Sequence, residues 1–262
     1  TYTGAKELPG SDTTEAFIDT NTSAATATEI LIKGYTFKGN ALTPTTGSAS
    51  EDVWAGRSVI GNTTTGNTLT VNGTTHRDAY GGWTAGTGTL KTPTNDSTGN
   101  AVDLQNATVR NVYGGFTAST GGSATLNVVK VSGGTVAADA SGVGGNVYGG
   151  FISHTGAGNA TGNAVTITGG TMKDVYGGYT TGTGATTGNT VNLGDGTEAG
   201  KLTTAAGAAT VAGTIYGGSG TVTTGNVLNV NGNATVGNIK NFAAVNFHYD
   251  QDTTSAAAPM LK

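Results

Sequence analysis

Five times in this chain the tripeptide Tyr-Gly-Gly recurs, at Tyr80, Tyr113, Tyr148, Tyr176 and Tyr216, and Trp54-Ala55-Gly56 stands in the same position of an earlier unit. The tripeptides close a longer phrase, written in full as Thr-Gly-Asn, a short apolar alternation, a Thr-bearing turn, then the aromatic and its glycines; the unit of Tyr148 has Leu126 in place of the glycine. Thr161 to Gly178 reads TGNAVTITGGTMKDVYGG, Thr98 to Gly115 reads TGNAVDLQNATVRNVYGG, and Thr65 to Gly82 reads TGNTLTVNGTTHRDAYGG. A repeat of this length cannot bury an apolar face by itself, so copies must stack on one another to make a core. The intervals between aromatics are 26, 33, 35, 28 and 40 residues. Counted from the turn threonines Thr74, Thr108 and Thr171, the tyrosine follows within 5 or 6 residues, but from Thr135 and Thr197 it takes 13 and 19. Insertions are therefore expected near 136–146 and 198–213, as loops at the corners of stacked rungs.

The apolar residues inside each phrase alternate: Ile30/Ile32, Leu69/Val71, Val102/Leu104, Val165/Ile167, Val191/Leu193 and Leu228/Val230. A period of two places one face of a strand inward. Glycine at 46 of 262 positions and threonine at 52 would ruin helices and suit strands. The expected fold is all-β with almost no helix: a parallel β-helix, or β-solenoid, of about six to seven irregular rungs about 4.8 Å apart. An up-and-down antiparallel sheet is the rival that repeat length alone leaves open. Stacking predicts columns of like residues, with an amide ladder from the Asn of Thr-Gly-Asn and a structural aromatic ladder of Trp54, Tyr80, Tyr113, Tyr148, Tyr176 and Tyr216. The paired glycines after each tyrosine are expected to supply left-handed corners. Three segments follow: 1–28, which lacks the motif, as an N-terminal cap or lead-in; 29–237 as the repeat solenoid; and 238–262 as a C-terminal variant rung and tail. Thr1 follows no Met and no signal-like segment, which reads as a mature or excised form.

Repeats of the form GNxVxIxGGTxxxVYGG, followed by the NIxNFxxxNF phrase of Asn238 to Phe247, resemble passenger regions of bacterial autotransporters and related surface adhesins. The likeness covers about residues 29–250. It implies a right-handed parallel β-helix exported to the cell surface, extracellular, acting in adhesion, in aggregation or as a stalk.

Chemistry is sparse. Twelve Lys and Arg against 16 Asp and Glu exclude a nucleic-acid binder that works by counterion release. There is no cysteine and no run of 18 apolar residues, so neither thiolate metal sites nor a membrane-spanning helix is expected. His76, His154 and His248 match no metal spacing and read as solvated; no metal and no cofactor is expected. Asp78 and Asp174, with Asn111 and Asn146, stand two residues before their tyrosines as a column that could meet a cation or sugar hydroxyls, with a solvated face as the plainer reading. Walker A, Gly-x-Ser-x-Gly and roll-type calcium repeats are missing, and dispersed basic residues argue against a polysaccharide lyase, so no enzyme is expected. Thr68-x-Thr70, Thr166-x-Thr168 and Thr181-x-Thr183 suggest an ice-binding array only if they share a register.

A second aromatic set, Trp83, Phe116, Phe151 and Tyr179, lies three residues beyond the tyrosines and supplies the ligand-facing candidates. The function expected is a non-catalytic surface adhesin or stalk whose partners are a host or bacterial glycan or protein. A self-assembling fibre subunit, associating along or beside the solenoid axis, is the alternative, and a polysaccharide-active β-helix enzyme the minor one.

Overall fold

In a computed structural model, described for residues 37–58, 63–85, 96–194, 209–232 and 234–248, the chain is an all-β solenoid without helix. No helix of the described residues is long and apolar enough to cross a membrane. The lead-in 1–28, the first alternation at Ile30 and Ile32, and the tail beyond 248 lie outside the described residues.

Three sheets run along the rod, each collecting one strand from successive repeats. The first holds two-residue strands from Phe37–Lys38 to Ala160–Thr161. The second has eight strands: Ala41–Leu42, Thr68–Val71, Ala101–Leu104, Val128–Val131, Ala164–Ile167, Thr190–Leu193, Val227–Val230 and Ala244–Phe247. The third is built from long strands that carry the aromatics, among them Val53–Ser58, Thr75–Thr84, Thr108–Thr117, Asn146–Ile152, Asp174–Thr180, Thr210–Ser219 and Thr235–Lys240. The ladders between repeats are parallel and in register, which disposes of the antiparallel rival.

Alternation becomes columns. Leu69, Val102, Val129, Val165, Val191 and Leu228 stack in one inward file, and Val71, Leu104, Val131, Ile167, Leu193 and Val230 in a second. The long strands add Val53, Ala79, Val112, Val147, Val175 and Ile215. All are buried in one cluster, each Val, Leu or Ile side chain contributing about 1.5–3 kcal/mol where it is fully removed from water.

The left-handed corner falls elsewhere than expected. Glycines 66, 99, 162, 188 and 225 of Thr-Gly-Asn have φ between 62° and 68°, turning the chain between the first sheet and the second. The Gly-Gly after each tyrosine instead lies within a long strand, and its requirement is for space. A Cβ on Gly81 would sit 2.6 Å from the Gly114 carbonyl oxygen, and one on Gly150 would sit 2.6 Å from the Asn163 side-chain amide.

The turn threonines align as Thr75, Thr108, Thr135, Thr171, Thr210 and Thr235. Thr74 and Thr197 are thus not the structural equivalents. The extra residues of the later repeat lie between Leu193 and Thr210; of that stretch, 195–208 lie outside the described residues. The earlier insertion is an exposed excursion closed by an antiparallel bridge between Ala138 and Gly144.

Thr70, Asp103, Lys130, Thr166, Asn192, Asn229 and Asn246 form one outward file of the second sheet. The threonines share no flat array.

Candidate functional site

Inside the first corner, the buried Asn of each Thr-Gly-Asn builds the predicted amide ladder. Asn67 donates its Nδ2 to Asn100 Oδ1 at 2.8 Å, and the pattern runs through Asn127, Asn163, Asn189 and Asn226 at 3.0–3.2 Å. This column is sealed from solvent and positions the outer face of the long strands.

On that outer face three columns run side by side. The tyrosine rings stack nearly parallel: Tyr80 on Tyr113 at 4.7 Å between centroids, Tyr113 on Tyr148 at 5.0 Å, Tyr148 on Tyr176 at 4.9 Å and Tyr176 on Tyr216 at 4.7 Å. Trp54 begins the file, 6.3 Å from Tyr80, and Lys240 ends it, with its Nζ 5.9 Å from the Tyr216 ring. Tyr80, Tyr113 and Tyr148 are buried, while Trp54, Tyr176 and Tyr216 are half-buried. Burial raises the Tyr80, Tyr113 and Tyr176 phenols well above their usual range. It pushes Tyr148 up to about 12, against the opposing hydrogen bond from Asn146 Nδ2. None of these phenols ionises at neutral pH.

The second aromatic set forms its own stack: Trp83 on Phe116 at 6.0 Å, Phe116 on Phe151 at 5.3 Å, Phe151 on Tyr179 at 4.9 Å. It meets the tyrosine file edge to face, as in Tyr148 with Phe151 at 79°. Arg57 heads it, its guanidinium 4.6 Å from the Trp54 ring and 5.2 Å from Trp83. All four candidates are half-buried. Stacking occupies both faces of Trp83, Phe116 and Phe151, so these three present edges. Tyr179 differs: the next residue in its register is Ser219, and no ring among the described residues covers that side. Of the four, Tyr179 alone has one ring face with neither a ring nor a guanidinium stacked on it among the described residues.

The third column is Asp78, Asn111, Asn146 and Asp174, in register. Its charges are committed within the protein. Arg110 grips Asp78 with its Nε (3.0 Å) and a second guanidinium nitrogen, and Asn111 Nδ2 donates to the same carboxylate at 3.0 Å. Arg77 holds Asp52 through Nε at 2.7 Å. Hydrogen bonding to their carboxylates raises both guanidinium pKa values. Asp174 accepts from the Thr214 backbone N–H at 2.7 Å. Arg110 also reaches Asp139 at 3.4 Å, tying the exposed excursion to the column. Sequence reading picked out Asp78 and Asp174 but missed Asp52 and the two arginines; the available signal was an arginine immediately before the column at both Arg77 and Arg110.

Two histidines are not solvated. His76 is buried in register with the core residue Val109, its Nε2 3.1 Å from the Thr74 hydroxyl. His154 is buried in a loop, where Nδ1 accepts from the Gly156 N–H at 3.0 Å and Nε2 lies 2.9 Å from the Gly122 carbonyl oxygen. His248 is exposed. Among the described residues no three His, Asp or Glu converge as a metal site.

No protein-family model, curated protein or solved structure matches this chain.

Proposed function

We propose that this chain is a non-catalytic part of a bacterial surface protein, held outside the cell, that acts as a stiff projecting rod with an adhesive outer face. The observation that carries the reading is the continuity of the ladders: the Asn, Tyr and second aromatic columns each pass through successive repeats. Such columns resist bending, and the second aromatic column repeats half-buried rings along the outer face at strand spacing. The likeness of the repeats to autotransporter passengers supports the same reading. An enzyme on this face would need free paired acids, whereas Asp78 and Asp52 are neutralised by Arg110 and Arg77. The partner is a glycan or protein surface engaged through many weak contacts, which gain strength from multiplicity.

The test is binding of the chain, displayed densely on beads and separately as free protein, to glycan arrays and bacterial cells. Dense beads are expected to bind at least about tenfold more tightly than free chain, and Tyr179→Ala is expected to weaken glycan capture more than Phe116→Leu does. Beads that capture neither glycans nor cells, or a chain that cleaves polysaccharide, would overturn the reading.

A further inference from the structure

Among the described residues, the solenoid core is left exposed at the end nearest residue 248. The inward files of the second sheet are buried strand after strand until the last, Ala244–Phe247, where Val245 is 40 % and Phe247 56 % exposed. At the other end of the described rod the corresponding core is shut: Leu42 is 7 % and Val53 0 % exposed. Among the described residues, the edge strand also carries backbone groups with no partner. The Ala244 and His248 N–H groups point back to the Asn226 and Val230 carbonyls, at 3.4 and 2.9 Å. By strand alternation, the N–H and C=O of Val245 and Phe247 point the other way, into the open edge.

We propose that this edge binds a second copy of the chain, antiparallel to the first about a twofold axis through Asn246, to form a closed dimer. Face matching and the direction of the edge backbone groups both require a register centred on a residue rather than between two, and of the centres at Val245, Asn246 and Phe247 only Asn246 opposes the two exposed apolar residues to each other. Residues directly opposed in an antiparallel pair lie on the same face of the sheet. Centring on Asn246 sets Val245 against the other copy's Phe247, apolar on apolar, and Asn246 against Asn246 outside. Centring between Val245 and Asn246 would oppose an inward to an outward residue. The same choice makes Val245 with Phe247 the hydrogen-bonded pair, which is where the free backbone groups point. Asn246 then falls at the non-hydrogen-bonded position, where side chains approach most closely.

Asn246 is prepared for this. It ends an outward amide file, donating its Nδ2 to Asn229 Oδ1 at 2.9 Å, as Asn229 does to Asn192 at 2.8 Å. Its own Oδ1 is the next acceptor in the file, and two copies can satisfy each other reciprocally. Because the core side chains of the first described turn are buried, this contact joins like ends and stops at two. The inference is independent of the adhesive role proposed above.

The test is sedimentation velocity on the full chain over a concentration series, with three variants. The wild type is expected to pass from monomer to dimer and no further. Phe247→Asp, which places a charge in the apolar pair, is expected to weaken association at least about tenfold with an unchanged β-sheet spectrum. Under an added mild oxidant that takes up the two electrons, Asn246→Cys is expected to form a disulfide-linked dimer, since opposed Cβ atoms lie about 4.5–5.5 Å apart in such pairs. Ala244→Cys, distant from its own twofold mate, is expected not to. A monomer at every concentration, an open-ended series of oligomers, or equal cross-linking by the two cysteine variants would overturn the proposal.

Discussion

Asn127 gives two hydrogen bonds to one oxygen of Asn163: its backbone N–H and its side-chain Nδ2 both reach Asn163 Oδ1 at 3.0 Å. A second Nδ2 bond runs to the Ser97 carbonyl at 2.9 Å. Every donor of that buried side chain is thereby used, and each ladder member satisfies the backbone of its neighbour.

Removing one interior amide therefore strands several buried groups. Asn127→Ala is expected to destabilise the fold by about 2–4 kcal/mol. Asn40→Ala, at the first described position of the file, which donates to Asn67 through N and Nδ2, is expected to cost less. Chemical denaturation of both variants checks this, and equal losses would contradict the ladder account.

Leu126 occupies the corner that glycine takes in the neighbouring repeats. Its φ is 57°, and its side chain is 65 % exposed. Left-handed backbone disfavours a Cβ by about 1–2 kcal/mol, and little apolar burial is lost on truncation. Leu126→Gly is expected to raise stability by about 0.5–1 kcal/mol after the flexibility of glycine in the unfolded chain is set against it. A thermal midpoint at or below that of the wild type would refute it.

Burial lowers the His76 pKa from its usual 6.5. The unfolded chain then binds a proton more readily than the folded one, so this stabilisation is complete above about pH 6.5 and is lost as the pH falls from there toward the lowered folded value. His76→Val, matching Val109 in the next repeat, is expected to abolish that part of the acid sensitivity. Unfolding free energies at pH 7.5 and 5 for both proteins decide the matter; parallel pH profiles would show that His76 contributes nothing.

A Cβ on Gly114 would lie 2.5 Å from the Gly149 carbonyl oxygen in the adjoining strand. The obstacle is backbone held by its own ladder, so relief requires moving two strands apart. Gly114→Ala is expected to cost upwards of about 2 kcal/mol and to disturb the near-ultraviolet signal of the stacked tyrosines. A variant as stable as the wild type would show that the strands have room to shift.

The aromatic files were legible in the chain because Tyr-Gly-Gly repeats literally, and literal repetition becomes a column once strands stack in register. The same holds for the asparagines of Thr-Gly-Asn, and for the alternation of Leu69 with Val71 or Val165 with Ile167. The histidines were not legible: nothing local distinguishes His76, which replaces a core valine, from His248, which faces water. Nor was the pairing of Arg110 with Asp78, which lie 32 residues apart. The second aromatic set could be named from spacing, but spacing does not say that Tyr179 alone among its members is followed in register by a residue as small as Ser219.

Period-two alternation and a repeated glycine-asparagine corner determined, by themselves, that this chain forms strands and that like residues align. Those are local properties: each strand's inward face and each corner's backbone are written in consecutive residues. Register across unequal insertions was decided only by the tertiary structure, which chose Thr75 over Thr74 and Thr210 over Thr197. It also assigned Gly-Gly to close approach rather than to turning, and left Val245 and Phe247 uncovered. Those outcomes depend on contacts between residues about 25–40 positions apart, whose geometry exists only after the repeats have stacked.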